Sequence, residues 1–86
     1  MIIEKKIWPE YFKKIKSGEK TFELRLADWE CNVGDTLVLK EWDPKTKTFT
    51  GNEIKKKVTY VLKTKELEFW SQEEIEKYGF QIISFK

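Results

Sequence analysis

The sequence predicts an α+β fold: a small mixed β-barrel of about five strands, flanked by two short helices. Several short segments alternate apolar and polar residues, as half-buried strands do. Two segments instead have helical spacing, and each is followed by a glycine, Gly18 or Gly79, that ends a helix. A barrel is favoured over an open sheet because closure removes exposed strand edges.

The first part of the chain reads as strand, helix, strand. Residues 1–7 carry three isoleucines among charged residues and predict an opening strand. A Trp-Pro pair then begins a helix over residues 9–17, because proline suits the first turn and apolar side chains recur at i, i+4 and i+7. Gly18 ends that helix, and the alternation over residues 20–26 predicts a second strand.

The rest of the chain adds two strands, a helix and a closing strand. Residues 36–42 predict a third strand that ends at an Asp-Pro turn signal. A long fourth strand follows, with an apolar row from Ile54 to Leu62 that Lys56 interrupts at a bulge or an exposed strand end. A capping box beginning at Ser71 predicts the second helix, and residues 80–85 predict the closing strand.

Composition indicates one domain over residues 1–86, because a chain of this length has room for a single core. No apolar run is long enough to span a membrane and no signal-peptide core is present, so we expect a cytoplasmic protein. The absence of histidine excludes Ser-His-Asp machinery and most zinc sites. The single Cys31 predicts an ordinary, partly buried side chain. We therefore expect neither a metal nor another cofactor.

One segment groups side chains that suit ligand binding. Residues 18–25 read Gly-Glu-Lys-Thr-Phe-Glu-Leu-Arg. Arg25 can grip a phosphate or carboxylate bidentately, Lys20 can add a mobile positive charge, and Glu23 can accept hydrogen bonds from a nucleobase amino group. Trp8 lies just before the first helix and is a candidate for stacking on a base. This set suits a nucleotide or single-stranded RNA.

The same residues have a plainer interpretation, in which Glu23 and Arg25 form a structural ion pair and Lys20 is solvated. Strict strand alternation also places Lys20 and Glu23 on opposite faces. Their convergence on one site therefore requires a twist or bulge near Thr21, which belongs to the same candidate ligand-binding set.

A run of three lysines, residues 55–57, is a second candidate. Lys55 and Lys57 could contact phosphates, although such a run is also typical of a solvated strand edge that discourages edge-to-edge pairing. The formal net charge is only +2. The tryptophans Trp29, Trp42 and Trp70 are expected in the core or covering it rather than stacking on a base.

The motif at residues 18–25, Gly-x-Lys-x-x-Glu-x-Arg, resembles the signature of ASCH domains, small PUA-like barrels proposed to bind RNA. Three flanking stretches extend the resemblance to a bacterial and phage branch of ASCH-like proteins. They are Trp-Pro-Glu-Tyr-Phe at residues 8–12, Val-Gly-Asp at 33–35 and Glu-Trp-Asp-Pro at 41–44. The resemblance implies a PUA-like barrel in which the signature residues line a cleft beside the first helix.

The resemblance also raises the question of catalysis. Some ASCH relatives hydrolyse acetylcytidine nucleosides with a lysine at the position of Lys20 and a threonine nucleophile at the position of Glu23. The glutamate here departs from that pattern, so an RNA- or nucleotide-binding domain is the first expectation. An amidohydrolase acting on a modified nucleoside, with Lys20 and Glu23 as catalytic candidates, is the alternative. A third hypothesis is an accessory protein that binds a protein partner through its acidic segment, residues 66–76.

Overall fold

The computed structural model describes residues 1–85, apart from the Glu66 side chain, and has an α+β architecture. In chain order its elements are β1 (Ile2–Ile7), α1 (Pro9–Ser17), β2 (Thr36–Asp43), β3 (Thr48–Lys57), a 3-10 turn (Thr64–Glu66) and α2 (Gln72–Tyr78). The strands form one mixed sheet in the order β1-β2-β3, with β1 parallel to β2 and β2 antiparallel to β3.

Helix α1 has the bounds that its sequence predicts. Pro9 occupies the first turn, where a missing N–H costs no hydrogen bond. Gly18 adopts a left-handed φ of 86° and donates its N–H to the Ile15 carbonyl, which ends the helix. The end of the helix therefore fixes where the following segment begins.

The core lies between α1 and one face of the sheet. Its buried side chains are Ile7, Phe12, Ile15 and Leu39, with the partly buried Ile54 packed against them. Burying a side chain of this size contributes about 1.5–3 kcal/mol. This packing fixes the position of α1 and of the residues that follow it.

The five-stranded barrel predicted from the sequence is wrong for the described residues, which form an open sheet of three strands. Residues 20–26 form no strand, because the Lys20 N–H bonds to the Lys14 carbonyl at 3.0 Å and wraps the chain around the end of α1. Residues 80–85 also lie outside the sheet. There the Ser84 hydroxyl donates to the Glu19 carbonyl at 3.1 Å.

Strand β3 begins and ends earlier than the alternation predicts, so residues 58–62 lie beyond it. The predicted bulge is not at Lys56, which pairs regularly with Leu37; the irregularity lies between Lys40 and Trp42. Lys56 is instead exposed one residue before the end of the strand. An exposed strand end was the other explanation for a lysine in the apolar row.

Helix α2 has the predicted capping box. The Ser71 hydroxyl accepts the Glu74 N–H at 3.2 Å, and the Glu74 carboxylate accepts the Ser71 N–H at 3.0 Å. The hydrogen bonds that the Ser71 N–H and hydroxyl donate to the Glu74 carboxylate lower the pKa of Glu74. Within residues 1–85, no helix has the length and the apolar run that crossing a membrane requires.

Candidate functional site

Lys20, Glu23 and Arg25 converge in the structure, although their segment is not a strand. The Lys20 Nζ lies 2.8 Å from Glu23 Oε1, and the Arg25 Nε lies 2.8 Å from Glu23 Oε2. Two cations thus hold the two oxygens of one carboxylate, whose side chain is 13% exposed. A regular strand would place Lys20 and Glu23 on opposite faces. The irregular backbone of residues 20–26 allows the two side chains to meet.

Arg25 also binds the sheet. Its Nη2 donates to the backbone carbonyl of Lys6 at 2.8 Å, and Lys6 belongs to the edge strand β1. Two of the three guanidinium nitrogens are therefore engaged inside the protein. Arg25 thus joins Glu23 to β1, and its use in binding an external anion stays a prediction.

The Lys20 ammonium lies against two aromatic rings. It is 5.0 Å from the ring centroid of Phe22 and 5.3 Å from that of Tyr11, and its side chain is 16% exposed. Cation–π attraction adds to the ion pair with Glu23. These contacts give Lys20 a fixed position rather than the solvated one of the plainer interpretation.

The three residues line part of a cavity of about 370 Å³ between the sheet and the segments at residues 20–31 and 56–63. Small-molecule sites in proteins start at about this size. Its apolar lining includes Ile15, Phe22, Trp29, Leu37, Leu39 and Tyr60. The charged network therefore borders a partly apolar space large enough for a small ligand.

The structure separates the remaining predicted site residues. Thr21 and Lys57 line the cavity, whereas Trp8 and Lys55 are not among its lining residues. Trp8 precedes α1 and is 48% exposed. Lys55 lines a second groove with Glu53, because it pairs with Val38 on the opposite face of the sheet.

Among the lining residues that sequence reasoning did not name as ligand contacts, three bear on the site: Trp29, Lys56 and Lys63. Lys56 belongs to the run of three lysines, of which only Lys55 and Lys57 are predicted from the sequence as phosphate contacts; the pairing of Lys56 with Leu37 turns it toward the cavity. Trp29 lines the cavity beneath the Lys5 ammonium, which is 4.1 Å from its ring centroid. Residue spacing carries no signal for Lys63, since it reaches the cavity through an irregular segment.

Cys31 also lines the cavity. Burial raises the pKa of its thiol, the charges of Asp35 and Glu30 raise it further, and the charge of Lys63 lowers it. The thiol is therefore protonated at neutral pH, as an ordinary side chain would be.

The acidic segment lies apart from this cavity. Among residues 67–76 only Leu67 and Ile75 are partly buried, and the Glu66 side chain lies outside the described part of the chain. Its use as a protein-binding surface stays a prediction.

Comparison with known proteins gives two similarities. The family model of a domain of unknown function, DUF3850, matches residues 2–74, a range that includes every residue lining the cavity. A protein of Escherichia phage P2, described as an uncharacterized 12.9 kDa protein in the GpA 3' region, is 37% identical over 60 residues. That match covers 70% of this chain and 53% of the phage protein, so the chain spans about half of the length of this relative.

Proposed function

The chain belongs to the DUF3850 family, and from this premise we propose that it is an ASCH-like domain whose cavity binds one nucleotide unit, free or presented by single-stranded RNA. The observation that carries the proposal is the joining, in one cavity, of a carboxylate fixed by two cations with aromatic walls. A nucleotide requires both kinds of contact, because it combines a flat aromatic base with polar and charged groups.

Glu23 supports base recognition. Its two oxygens accept from Lys20 and Arg25, and each carboxylate oxygen retains a further lone pair. A nucleobase amino group can donate to such an oxygen. Because two ion pairs already hold the carboxylate in place, little side-chain entropy is lost when a base binds.

Trp29 and Phe22 support stacking, since both aromatic residues line the cavity. Stacking on one aromatic side chain contributes about 1–3 kcal/mol per base. The cavity of about 370 Å³ is sized for a single base with its sugar rather than for a longer stretch of strand.

The contacts favour binding over hydrolysis. A general base needs a free lone pair aimed at the reacting group, but the Lys20 ammonium instead donates a hydrogen bond to Glu23. The lysine candidate is therefore already engaged by the glutamate candidate in this structure.

Two tryptophans offer a matched test. Trp29 and Trp42 each carry a lysine ammonium 4.1 Å from the ring centroid, from Lys5 and Lys6 respectively, but Trp29 lines the cavity and Trp42 does not. Isothermal titration with CMP, UMP, AMP, GMP and short RNA homopolymers is compared for the wild type, Trp29→Leu and Trp42→Leu. We expect Trp29→Leu to weaken binding by about tenfold or more and Trp42→Leu to leave it unchanged.

Two results would overturn the proposal. One is the absence of saturable binding for every probe by the folded wild type. The other is an equal loss of affinity in both variants, which would show that the ligand does not bind specifically in the cavity. Circular dichroism of each variant verifies that the fold is retained.

A further inference from the structure

We propose that Lys56, Lys57 and Lys63 form a phosphate subsite at the cavity, separate from the network of Lys20, Glu23 and Arg25. This inference rests on the proposed function, because it assigns the part of a nucleotide that the three lysines bind. The ligand chemistry is that of a nucleoside monophosphate rather than of a neutral nucleoside.

The charges lining the cavity carry the inference. Six charged residues line it: the anionic Glu23 and five cationic residues, which are Lys20, Arg25, Lys56, Lys57 and Lys63. The single carboxylate is held by Lys20 and Arg25. In the part of the chain that the structure describes, Lys56, Lys57 and Lys63 form no ion pair. Their positive charge is available to an anionic ligand.

The engaged cations are poorer partners for an incoming phosphate. Lys20 and Arg25 are both paired with Glu23, and Arg25 donates a further hydrogen bond to the Lys6 carbonyl. A phosphate beside them would also meet the negative charge of Glu23. The lysines without such a neighbour offer charge-assisted hydrogen bonds without that repulsion.

The register of β3 separates Lys56 from Lys55. Lys56 pairs with Leu37, which lines the cavity, whereas Lys55 pairs with Val38, which lines the groove on the other face. Lys57 is the last residue of the strand and lines the cavity, although its partner Thr36 lines the other groove. Of the two phosphate contacts expected from the sequence, Lys55 is therefore replaced by Lys56.

Lys63 completes the set from a different segment. It lines the cavity and lies close enough to Cys31 for its charge to lower the pKa of that thiol. Lys56, Lys57 and Lys63 are all exposed, while Leu37 and Trp29 are partly buried. This gradient suits a nucleotide with its base against the apolar lining and its phosphate at the solvent side.

The test uses matched pairs of ligands and of variants. The affinities of cytidine and CMP, and of adenosine and AMP, are measured by isothermal titration with the wild type, Lys56→Ala, Lys63→Ala and Lys55→Ala. We expect the wild type to bind each monophosphate at least about tenfold more tightly than its nucleoside. Lys56→Ala and Lys63→Ala should each remove most of that preference. Lys55→Ala removes the same charge from the opposite face and should retain it.

The outcomes separate this inference from the proposed function. If nucleosides and monophosphates bind the wild type equally well, or if Lys55→Ala loses as much preference as Lys56→Ala, the subsite is overturned while nucleotide binding stands. Binding confined to RNA oligomers also overturns it. A lack of binding by every nucleoside, nucleotide and RNA overturns both. Lys56→Gln replaces Lys56→Ala if thermal melting shows that the alanine variant does not fold.

Discussion

Arg25 and Lys6, nineteen residues apart in sequence, are joined by a hydrogen bond of 2.8 Å from the guanidinium Nη2 to the backbone carbonyl. The bond fastens the irregular segment at residues 20–26 to the edge strand β1. Through its Nε the same guanidinium holds Glu23. One side chain therefore orders both the candidate site and a segment that has no strand pairing of its own.

Arg25→Lys is expected to destabilise the protein although it preserves the charge. A single ammonium cannot reproduce the two directed hydrogen bonds to Glu23 and Lys6. We expect the free energy of unfolding in urea to fall by about 1–2 kcal/mol. Lys40→Arg is the control, since its exposed pair with Glu4 tolerates either cation and the change should stay within about 0.5 kcal/mol. An Arg25→Lys variant as stable as the wild type would refute this role.

Glu23→Gln is expected to release both cations at once. Lys20 and Arg25 are only 16% and 30% exposed, so water replaces their carboxylate partner incompletely. The expected loss is about 1–3 kcal/mol in the free energy of unfolding. Glu19→Gln serves as the comparison, because its pair with Lys14 spans 3.9 Å at an exposed position and should contribute no more than about 0.5 kcal/mol. Equal losses in the two variants would contradict the assignment.

Features that depend on neighbouring residues could be predicted from the sequence. The bounds of α1 follow from Pro9 and from the left-handed Gly18, and the capping box of α2 follows from Ser71 and Glu74. Each involves hydrogen bonds within about one helical turn, so the sequence contains both partners at a fixed spacing. Strand β2 was predicted for the same reason, because turn signals bound it on both sides.

Pairing between distant segments could not be predicted in this way. Alternation over residues 20–26 indicates which side chains share a face, but not whether a strand edge is within reach. The hydrogen bond from the Lys20 N–H to Lys14 turns the chain away from the sheet, and the side chains then bond to each other. The same limit applies to the cavity. Lys56 and Lys63 both line it, but residue spacing does not predict this because the segment between them is irregular.

Asp35 is expected to make the free energy of unfolding depend on pH in the acidic range. Its Oδ2 accepts the Asn32 N–H at 2.9 Å and its Oδ1 accepts from the N-terminal ammonium at 3.1 Å; these bonds lower the pKa of Asp35. A carboxyl whose pKa is lower in the folded state stabilises the fold above its unfolded pKa of about 3.9. That contribution is lost as the pH falls through the folded value.

The measurement is urea unfolding of the wild type and Asp35→Asn at pH values from neutral down to about 2. Below about pH 4 the free energy of unfolding should fall more steeply in the wild type than in Asp35→Asn. Glu74, whose pKa is also lowered, is present in both proteins, so its contribution cancels in the difference. Parallel curves would show that Asp35 contributes nothing to the acid dependence.

Cys31 is expected to report whether the cavity is occupied. Because burial raises the pKa of its thiol, the folded protein should react with iodoacetamide more slowly than the urea-unfolded chain at about pH 8, since the thiolate is the reacting species. The rate should also rise over a higher pH range in the folded protein. Mass spectrometry follows the reaction at a single site, because the sequence has one cysteine.

A ligand in the cavity should slow this alkylation further by covering the thiol. CMP should protect Cys31 at concentrations where cytidine does not, and Lys56→Ala should reduce that protection while Lys55→Ala retains it. A folded protein that reacts as fast as the unfolded chain would contradict the partial burial of the thiol. Protection that is equal in both lysine variants would place the phosphate elsewhere. The protonated thiol carries no charge that could attract the ligand. The alkylation rate of Cys31 therefore reports ligand binding by the lysines, although Cys31 does not itself contribute to that binding.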